Sequence, residues 1–212
     1  MEDCCASKGA ELERLVRQGD QRRVLVIVLA INAIMFVAEF SAGIIAGSVA
    51  LMADAVDMLG DALVYGLSLY ALDKGNVWKA RAAVAKGMFI LLLGVGVFYQ
   101  LGWKVMTGVP PVTPIMFGFG AAALAANVGC LLLLWRFRSD DVNMASTFEC
   151  SRNDVIANVG VLVAATGVVA FNSIWPDVVV GLLIAVIFVR SAVHVLSEAY
   201  PMLKERSTGG EA

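Results

Sequence analysis

The chain has 212 residues, of which 59% are hydrophobic and only 16% are charged, and its formal net charge at pH 7 is -2. This balance excludes an ordinary water-soluble domain, because soluble domains carry about 25% charged residues. The slight acidity also argues against a nucleic-acid partner, which a basic surface would attract.

The apolar residues come in six blocks of about 20 residues, the length with which a helix crosses the hydrocarbon core of a bilayer. We therefore predict an all-α polytopic membrane protein with six transmembrane helices, at residues 24–46, 49–72, 84–104, 112–135, 144–171 and 177–198. These spans form one transmembrane domain, residues 24–198. Residues 1–23 and 199–212 are predicted to be cytoplasmic tails.

Lys and Arg residues predict the orientation of the spans. Of the 16 such residues, only Lys104 lies on the side of the membrane opposite to the two termini. Because positively charged loops are retained in the cytoplasm, both termini are predicted to be cytoplasmic. We expect the protein to lie in a bacterial inner membrane. The outer connections are then Gly47-Ser48, 107–111 and 172–177.

Span one contains Asn32 and Glu39, which lie seven residues apart and therefore share a helix face. Glu39 fits a proton relay and a structural partner for a basic residue equally well. Span four contains Asn127, whose amide is expected to bond between helices rather than to a metal.

Span two carries Asp54, Asp57 and Asp61 in its interior. Each ionised carboxylate costs roughly 3 kcal/mol at the centre of a bilayer, so three of them require a function. Asp57 and Asp61 are four residues apart, which places them on one helix face and lets them hold one cation between them. Asp54 lies near the same face.

Span five repeats this spacing with Cys150 and Asp154, four residues apart, in a polar first half that cannot face lipid. Cys130 lies in span four, and Cys4 and Cys5 lie in the first tail, so the four cysteines are predicted to be thiols rather than disulfides. The only histidine, His194, is expected to be solvated near the end of span six.

Three carboxylates and a thiolate suit a divalent transition metal, with Zn²⁺ as the default and Cd²⁺ favoured further by the sulfur. We predict a metal site formed by Asp57, Asp61, Cys150 and Asp154, with Asp54 and Glu39 as accessory residues. Ligands must lose protons to bind metal, so protons compete for the site, which would couple metal export to proton entry. No prosthetic group is expected.

The aspartates could alternatively have a structural role, in which they pair with basic residues of neighbouring helices. The candidate partners are Arg152, Arg190 and Lys86.

A pattern of residues runs through the six spans, namely Glu39, Gly43, Gly47-Ser48, Leu51, Asp54-Ala55, Asp57-x₃-Asp61, Cys150-x₃-Asp154, Asp177, Gly181 and the segment LLIAVI. With this pattern the sequence resembles the cation diffusion facilitator family of metal transporters over the whole six-span region. At the position of Cys150 the family usually has histidine or aspartate.

The resemblance implies a six-helix fold, proton-coupled export of Zn²⁺ and similar ions from the cytoplasm, a tetrahedral transport site made by the two residue pairs, and dimers. Cys150 shifts the expected preference toward softer metals. The chain ends soon after span six, so we expect a short form without the cytoplasmic domain that commonly follows in the family. The loop residues Asp73, Lys74 and Asn76 offer one carboxylate and no histidine, so no accessory metal site is assigned there.

Two other classes remain open: a proton-coupled exporter of organic cations, and a membrane thiol-disulfide protein that uses Cys4, Cys5 or Cys150. Neither explains carboxylate pairs that face a thiol. No phosphate-binding loop is present, so an ATP-driven pump is not expected. The sequence therefore indicates a secondary transporter rather than an enzyme, with the lipid bilayer, divalent metal ions and protons as its partners.

Overall fold

The computed structural model of the protein describes the backbone of residues 2–71, 76–139 and 142–207, and side chains mainly within 19–63 and 91–190. This part of the chain is all helical, which confirms the predicted class. The helices are α1 (Glu2–Ala46), α2 (Val49–Ala71), α3 (Asn76–Thr107), α4 (Thr113–Trp135), α5 (Val142–Phe171) and α6 (Trp175–Ser207).

Three helical segments of the described chain are long and apolar enough to cross a membrane, and a shorter apolar stretch lies in α3. The three segments are Gly19–Ala46, Thr113–Trp135 and Phe148–Phe171, and the shorter stretch is Leu91–Thr107. Helix α2 has 23 residues, enough to span, but its three aspartates make it less apolar. The protein is therefore a membrane protein, and crossing by all six helices and the cytoplasmic position of the termini stay predictions.

Several helices are longer than the predicted spans. Helix α1 begins at Glu2 rather than at residue 24, α3 begins at Asn76 rather than at 84, and α6 continues to Ser207 rather than ending at 198. A helix satisfies its own backbone hydrogen bonds in water and in lipid alike, so it does not have to end at the membrane surface. A change in hydropathy indicates where the chain crosses the membrane surface, whereas capping residues indicate where the helix ends.

The connections at the predicted outer end of the bundle agree with the sequence because their turn residues stop the helices. Gly47, with φ of +60°, follows α1. Its N–H donates to the Ile44 carbonyl at 3.2 Å, and the Ser48 N–H donates to the Gly43 carbonyl at 3.0 Å. This is the double hydrogen bond of a Schellman ending. Asn172, with φ of 44°, ends α5 in a similar left-handed turn.

Helix α2 lies at the centre of the bundle, in contact with α1, α3, α5 and α6. Two buried apolar clusters hold the helices together. One joins the first turns of α2 to α3, α4, α5 and α6 and includes Val49, Met116, Val161 and Phe188. The other joins α1, α4 and the start of α5. Along α1, α4 and α5 the buried polar residues lie between these clusters, which places a polar layer at the middle of the bundle.

Large apolar side chains also cover the outside of the bundle, including Ile34, Ile45, Leu92 and Ile187. Such a surface would associate in water, because soluble monomers rarely expose large contiguous apolar patches. In a bilayer this surface faces lipid chains. The exposed apolar residues therefore support the membrane assignment independently of the length of the apolar segments.

Gly181 allows α6 to cross close to the first turn of α2. A Cβ atom at this position would lie 2.8 Å from the Val49 carbonyl carbon and 2.9 Å from the Ala50 nitrogen, both backbone atoms. We expect Gly181→Ala to destabilise the bundle by about 1–3 kcal/mol, measured by thermal unfolding in detergent. Gly96→Ala is the matched control, because a Cβ there meets nothing within 4 Å. Equal unfolding temperatures for the two variants would contradict this close crossing.

Candidate metal site

Helix α2 presents the first half of the candidate site. Asp57 and Asp61 lie one turn apart and are both half-buried. Each lies close enough to the other for their charges to interact. Asp54, one turn nearer the start of α2, is almost fully buried. The spacing of four residues therefore places two carboxylates on one face of α2, as predicted.

Helix α5 presents the second half. Asp154 is only 4% exposed, and Cys150, one turn earlier, is half-buried and not in a disulfide. Their neighbours Arg152 and Asn153 are exposed on another side of α5. The first half of α5 thus places Cys150 and Asp154 inward and Arg152 and Asn153 outward.

The two halves meet at Asp61 and Asp154. The Asp154 carboxyl group lies within hydrogen-bonding reach of Asp61, and the charges of Asp57 and Asp54 also act on it. Asp61 and Asp154 are 93 positions apart in the sequence, and the packing of α5 against α2 brings them together.

The site is not closed around a metal in this conformation. Within the described residues, no three His, Cys, Asp or Glu side chains are gathered closely enough to hold an ion. The structure therefore brings Asp61 and Asp154 together, with Asp57 near them. Coordination by all four predicted ligands stays a prediction.

The basic residues considered as structural partners of the aspartates can be located in part. Arg152 forms an ion pair with Glu149 on the exposed surface of α5, and its Nη1 donates to Glu149 Oε1 at 3.2 Å. Arg190 is exposed. The side chain of Lys86 lies outside the described residues. Arg152 is therefore engaged with Glu149, on a different side of α5 from Asp154.

Asp54, one of the two predicted accessory residues, belongs to a chain of hydrogen bonds in the middle of the bundle. Asn158 donates from Nδ2 to Asp54 Oδ2, and Asn127 donates from Nδ2 to Asn158 Oδ1 at 2.9 Å. The chain links α2, α5 and α4, and Asn127 makes the interhelical bond predicted for it. Asp54 is therefore oriented by an amide of α5, a partner that spacing along α2 could not identify.

Glu39 of α1 lies beside Asp54, is fully buried and has no hydrogen-bond partner for either carboxyl oxygen among the described residues. A buried carboxyl group without a donor or a counter-charge is costly inside a membrane, which indicates a functional rather than a structural role. Asn32, the other polar residue of span one, donates from Nδ2 to the Val28 carbonyl of its own helix at 3.0 Å.

Some predicted positions fall outside the described side chains, namely Cys4, Cys5, Asp73, Lys74 and His194. One buried charged group, in contrast, had no predicted role. Asp177 of α6 bonds to the first turn of α2 and pairs with Lys104 of α3. The available signals were that Lys104 is the single basic residue on its predicted side of the membrane and that Asp177 begins the last predicted span.

Comparison with known proteins identifies the family. Residues 25–204 match the model of the cation efflux transmembrane domain. The chain is 22% identical to a cadmium, cobalt and zinc/H(+)-K(+) antiporter of Bacillus velezensis, over 90% of this chain and 66% of the relative.

Two further relatives have similar coverage. The zinc transporter ZitB of Yersinia pestis is 25% identical over 89% of this chain and 64% of its own length. The metal cation efflux system protein CzcD of Cupriavidus metallidurans is 25% identical over 86% of this chain and 64% of its own length. The chain thus spans a little under two thirds of the length of these relatives. Since the family model covers most of the chain, the protein belongs to the cation efflux family of membrane transporters, the cation diffusion facilitators.

Proposed function

We propose that this protein exports divalent transition-metal cations from the cytoplasm in exchange for protons, through Asp57, Asp61, Cys150 and Asp154. The contact between Asp61 of α2 and Asp154 of α5 is the observation that carries the proposal. It joins the two residue pairs that the sequence predicted as ligands, and it lies between two helices, where a movement can open or close the site.

This contact also suggests how exchange occurs. Two carboxyl groups can share a hydrogen bond only when one of them holds a proton, because two adjacent carboxylates repel each other. The closeness of Asp61 and Asp154 therefore supports a site that takes up a proton when it holds no metal. A divalent metal that binds both groups displaces the proton, so the site holds either protons or metal at one time, as antiport requires.

The donor atoms support a borderline or soft metal. Carboxylate oxygens alone also suit Mg²⁺ and Ca²⁺, but a cysteine thiolate selects Zn²⁺ and Cd²⁺. The relatives are named as zinc, cadmium and cobalt transporters, which agrees with this choice. We therefore propose Zn²⁺ and Cd²⁺ as substrates and assign no prosthetic group.

The proposal also covers the location and assembly of the protein. We propose six spans with both termini in the cytoplasm of a bacterium, and an inner-membrane homodimer as the family resemblance implies. Orientation is supported by the distribution of Lys and Arg, with Lys104 alone at the outer end.

Metal uptake by inverted membrane vesicles tests the proposal. Vesicles that contain the protein should take up Zn²⁺ and Cd²⁺ when the lumen is acidic, and an ionophore that collapses the proton gradient should remove most of the uptake. Empty vesicles are the control. Uptake that ignores the gradient would contradict proton exchange. Inhibition by bulky organic cations without metal transport would favour the organic-cation alternative.

Glu39 is assigned to proton transfer rather than to metal binding, because it lies beside Asp54 in the polar chain and no basic partner contacts it among the described residues. We expect Glu39→Gln to retain Zn²⁺ affinity within about threefold but to lower proton-coupled uptake by about tenfold or more, since glutamine cannot carry the proton. Calorimetry measures affinity, and vesicle uptake measures exchange. A large loss of affinity would make Glu39 a ligand instead.

A further inference from the structure

A buried charged cluster fixes the first turn of α2. Asp177 of α6 is fully buried and accepts hydrogen bonds from Ser48 Oγ at 2.6 Å, from the Val49 N–H at 2.9 Å and from the Ala50 N–H at 3.1 Å. The first N–H groups of a helix have no partner within the helix and attract negative charge. Asp177 therefore caps α2 from a different helix.

Lys104 adds α3 to this cluster. Its ammonium group is 3.3 Å from Asp177 Oδ2 and also donates to the Gly47 carbonyl, and the side chain is only 4% exposed. The α1–α2 connection, the last turn of α3 and the first turn of α6 thus meet around one ion pair. We call Ser48, Lys104 and Asp177, together with the Val49 and Ala50 N–H groups, the outer joint.

Neighbouring contacts pack tightly around the outer joint. Gly181 brings the α6 backbone against Val49 and Ala50, so that even a Cβ atom would clash with main-chain atoms. On the other side, the Val112 N–H donates to the Ala46 carbonyl at 2.9 Å, which attaches the start of α4 to the end of α1. Separation of Asp177 from its partners would leave charged groups unpaired in this packed region, which is strongly unfavourable.

The candidate metal site lies elsewhere, between α2 and α5. The hydrogen bonds and ion pair of the outer joint come from α3, α6 and the α1–α2 connection. The outer end of α5 makes an apolar approach to α6, where Gly167 faces Pro176. Metal exchange can therefore separate α5 from α2 without breaking any bond of the outer joint.

We propose that Asp177 holds the first turn of α2 to α3 and α6 as a fixed joint while the site between α2 and α5 opens and closes. This inference rests on the proposed transport function. It differs from a gate, in which the ion pair of Lys104 and Asp177 would break each time the site opens outward.

Thiol labelling during transport separates a fixed joint from a gate. Ser48→Cys keeps a small donor at the centre of the outer joint, and Thr107→Cys places a thiol at an exposed position of the same end of the bundle. With a membrane-impermeant maleimide on that side, we expect rapid labelling of the Thr107→Cys variant and no labelling of the Ser48→Cys variant above wild type, with or without a Zn²⁺ gradient. Labelling at position 48 that accelerates during transport would overturn the joint.

Amide hydrogen exchange of the wild-type protein gives a second measurement that depends on no variant. The Val49 and Ala50 amides should stay protected in the metal-loaded and proton-loaded states alike, whereas increased exchange in either state would refute a fixed joint. Vesicle uptake is measured on the same preparation. Absence of uptake by wild type contradicts the transport function, whereas exposure of position 48 in vesicles that do transport contradicts only the joint.

Discussion

We expect Asp154→Asn to reduce metal transport to background, a loss of at least about a hundredfold, because it replaces a proposed carboxylate ligand with a neutral amide that binds metal weakly. Asparagine has nearly the same shape, so packing between α2 and α5 is kept. Asp154 is buried and lies within hydrogen-bonding reach of Asp61, so it links the α2 half of the candidate site to the α5 half. Zn²⁺ uptake by inverted vesicles and calorimetric Zn²⁺ binding measure the effect.

The matched control is Asn153→Ala, one position earlier on α5 and exposed. It alters the same turn of the helix without touching the candidate site, so uptake should remain near the wild-type value. If Asp154→Asn folds and transports as well as this control, the metal path does not pass between Asp61 and Asp154, and the proposed site is wrong.

The sequence predicted the helices well where the signal was local. Runs of apolar residues identified the helical blocks, and Gly47 marked the end of α1. The pair Asp57 and Asp61 shares a helix face as the four-residue spacing requires. The polar first parts of α1 and α3 lay outside the predicted spans. Hydropathy indicates which residues face water, and it does not indicate which residues are helical.

Contacts between distant residues could not be predicted in this way. Asn158 contacts Asp54 across 104 positions, and Ser48 contacts Asp177 across 129. Nothing in the periodicity of one helix identifies the residue that faces it from another. A burial argument goes part of the way, because a charged residue inside the membrane needs a partner, but it does not say which residue supplies it. The outer joint could therefore be found only from the packed structure.

Cys150→His should change which metal is carried. Cadmium prefers sulfur more strongly than zinc does, and an imidazole nitrogen suits zinc, so we expect the ratio of Zn²⁺ to Cd²⁺ uptake to rise by about tenfold or more. Cys150 is half-buried on α5, one turn from Asp154, so a larger side chain can be accommodated without disturbing the core. Competitive uptake of the two metals by the same vesicles measures the ratio.

Cys130→Ala provides the control for this change, because Cys130 is the other cysteine whose side chain is described and it is buried in α4 within an apolar cluster. Its removal takes away a thiol that is none of the four proposed ligands, so the metal ratio should stay at the wild-type value. An unchanged ratio in Cys150→His would remove the sulfur from the site and leave three carboxylates, a donor set that no longer explains a preference for soft metals. A shift confined to Cys150→His would instead make that single residue the determinant of metal choice.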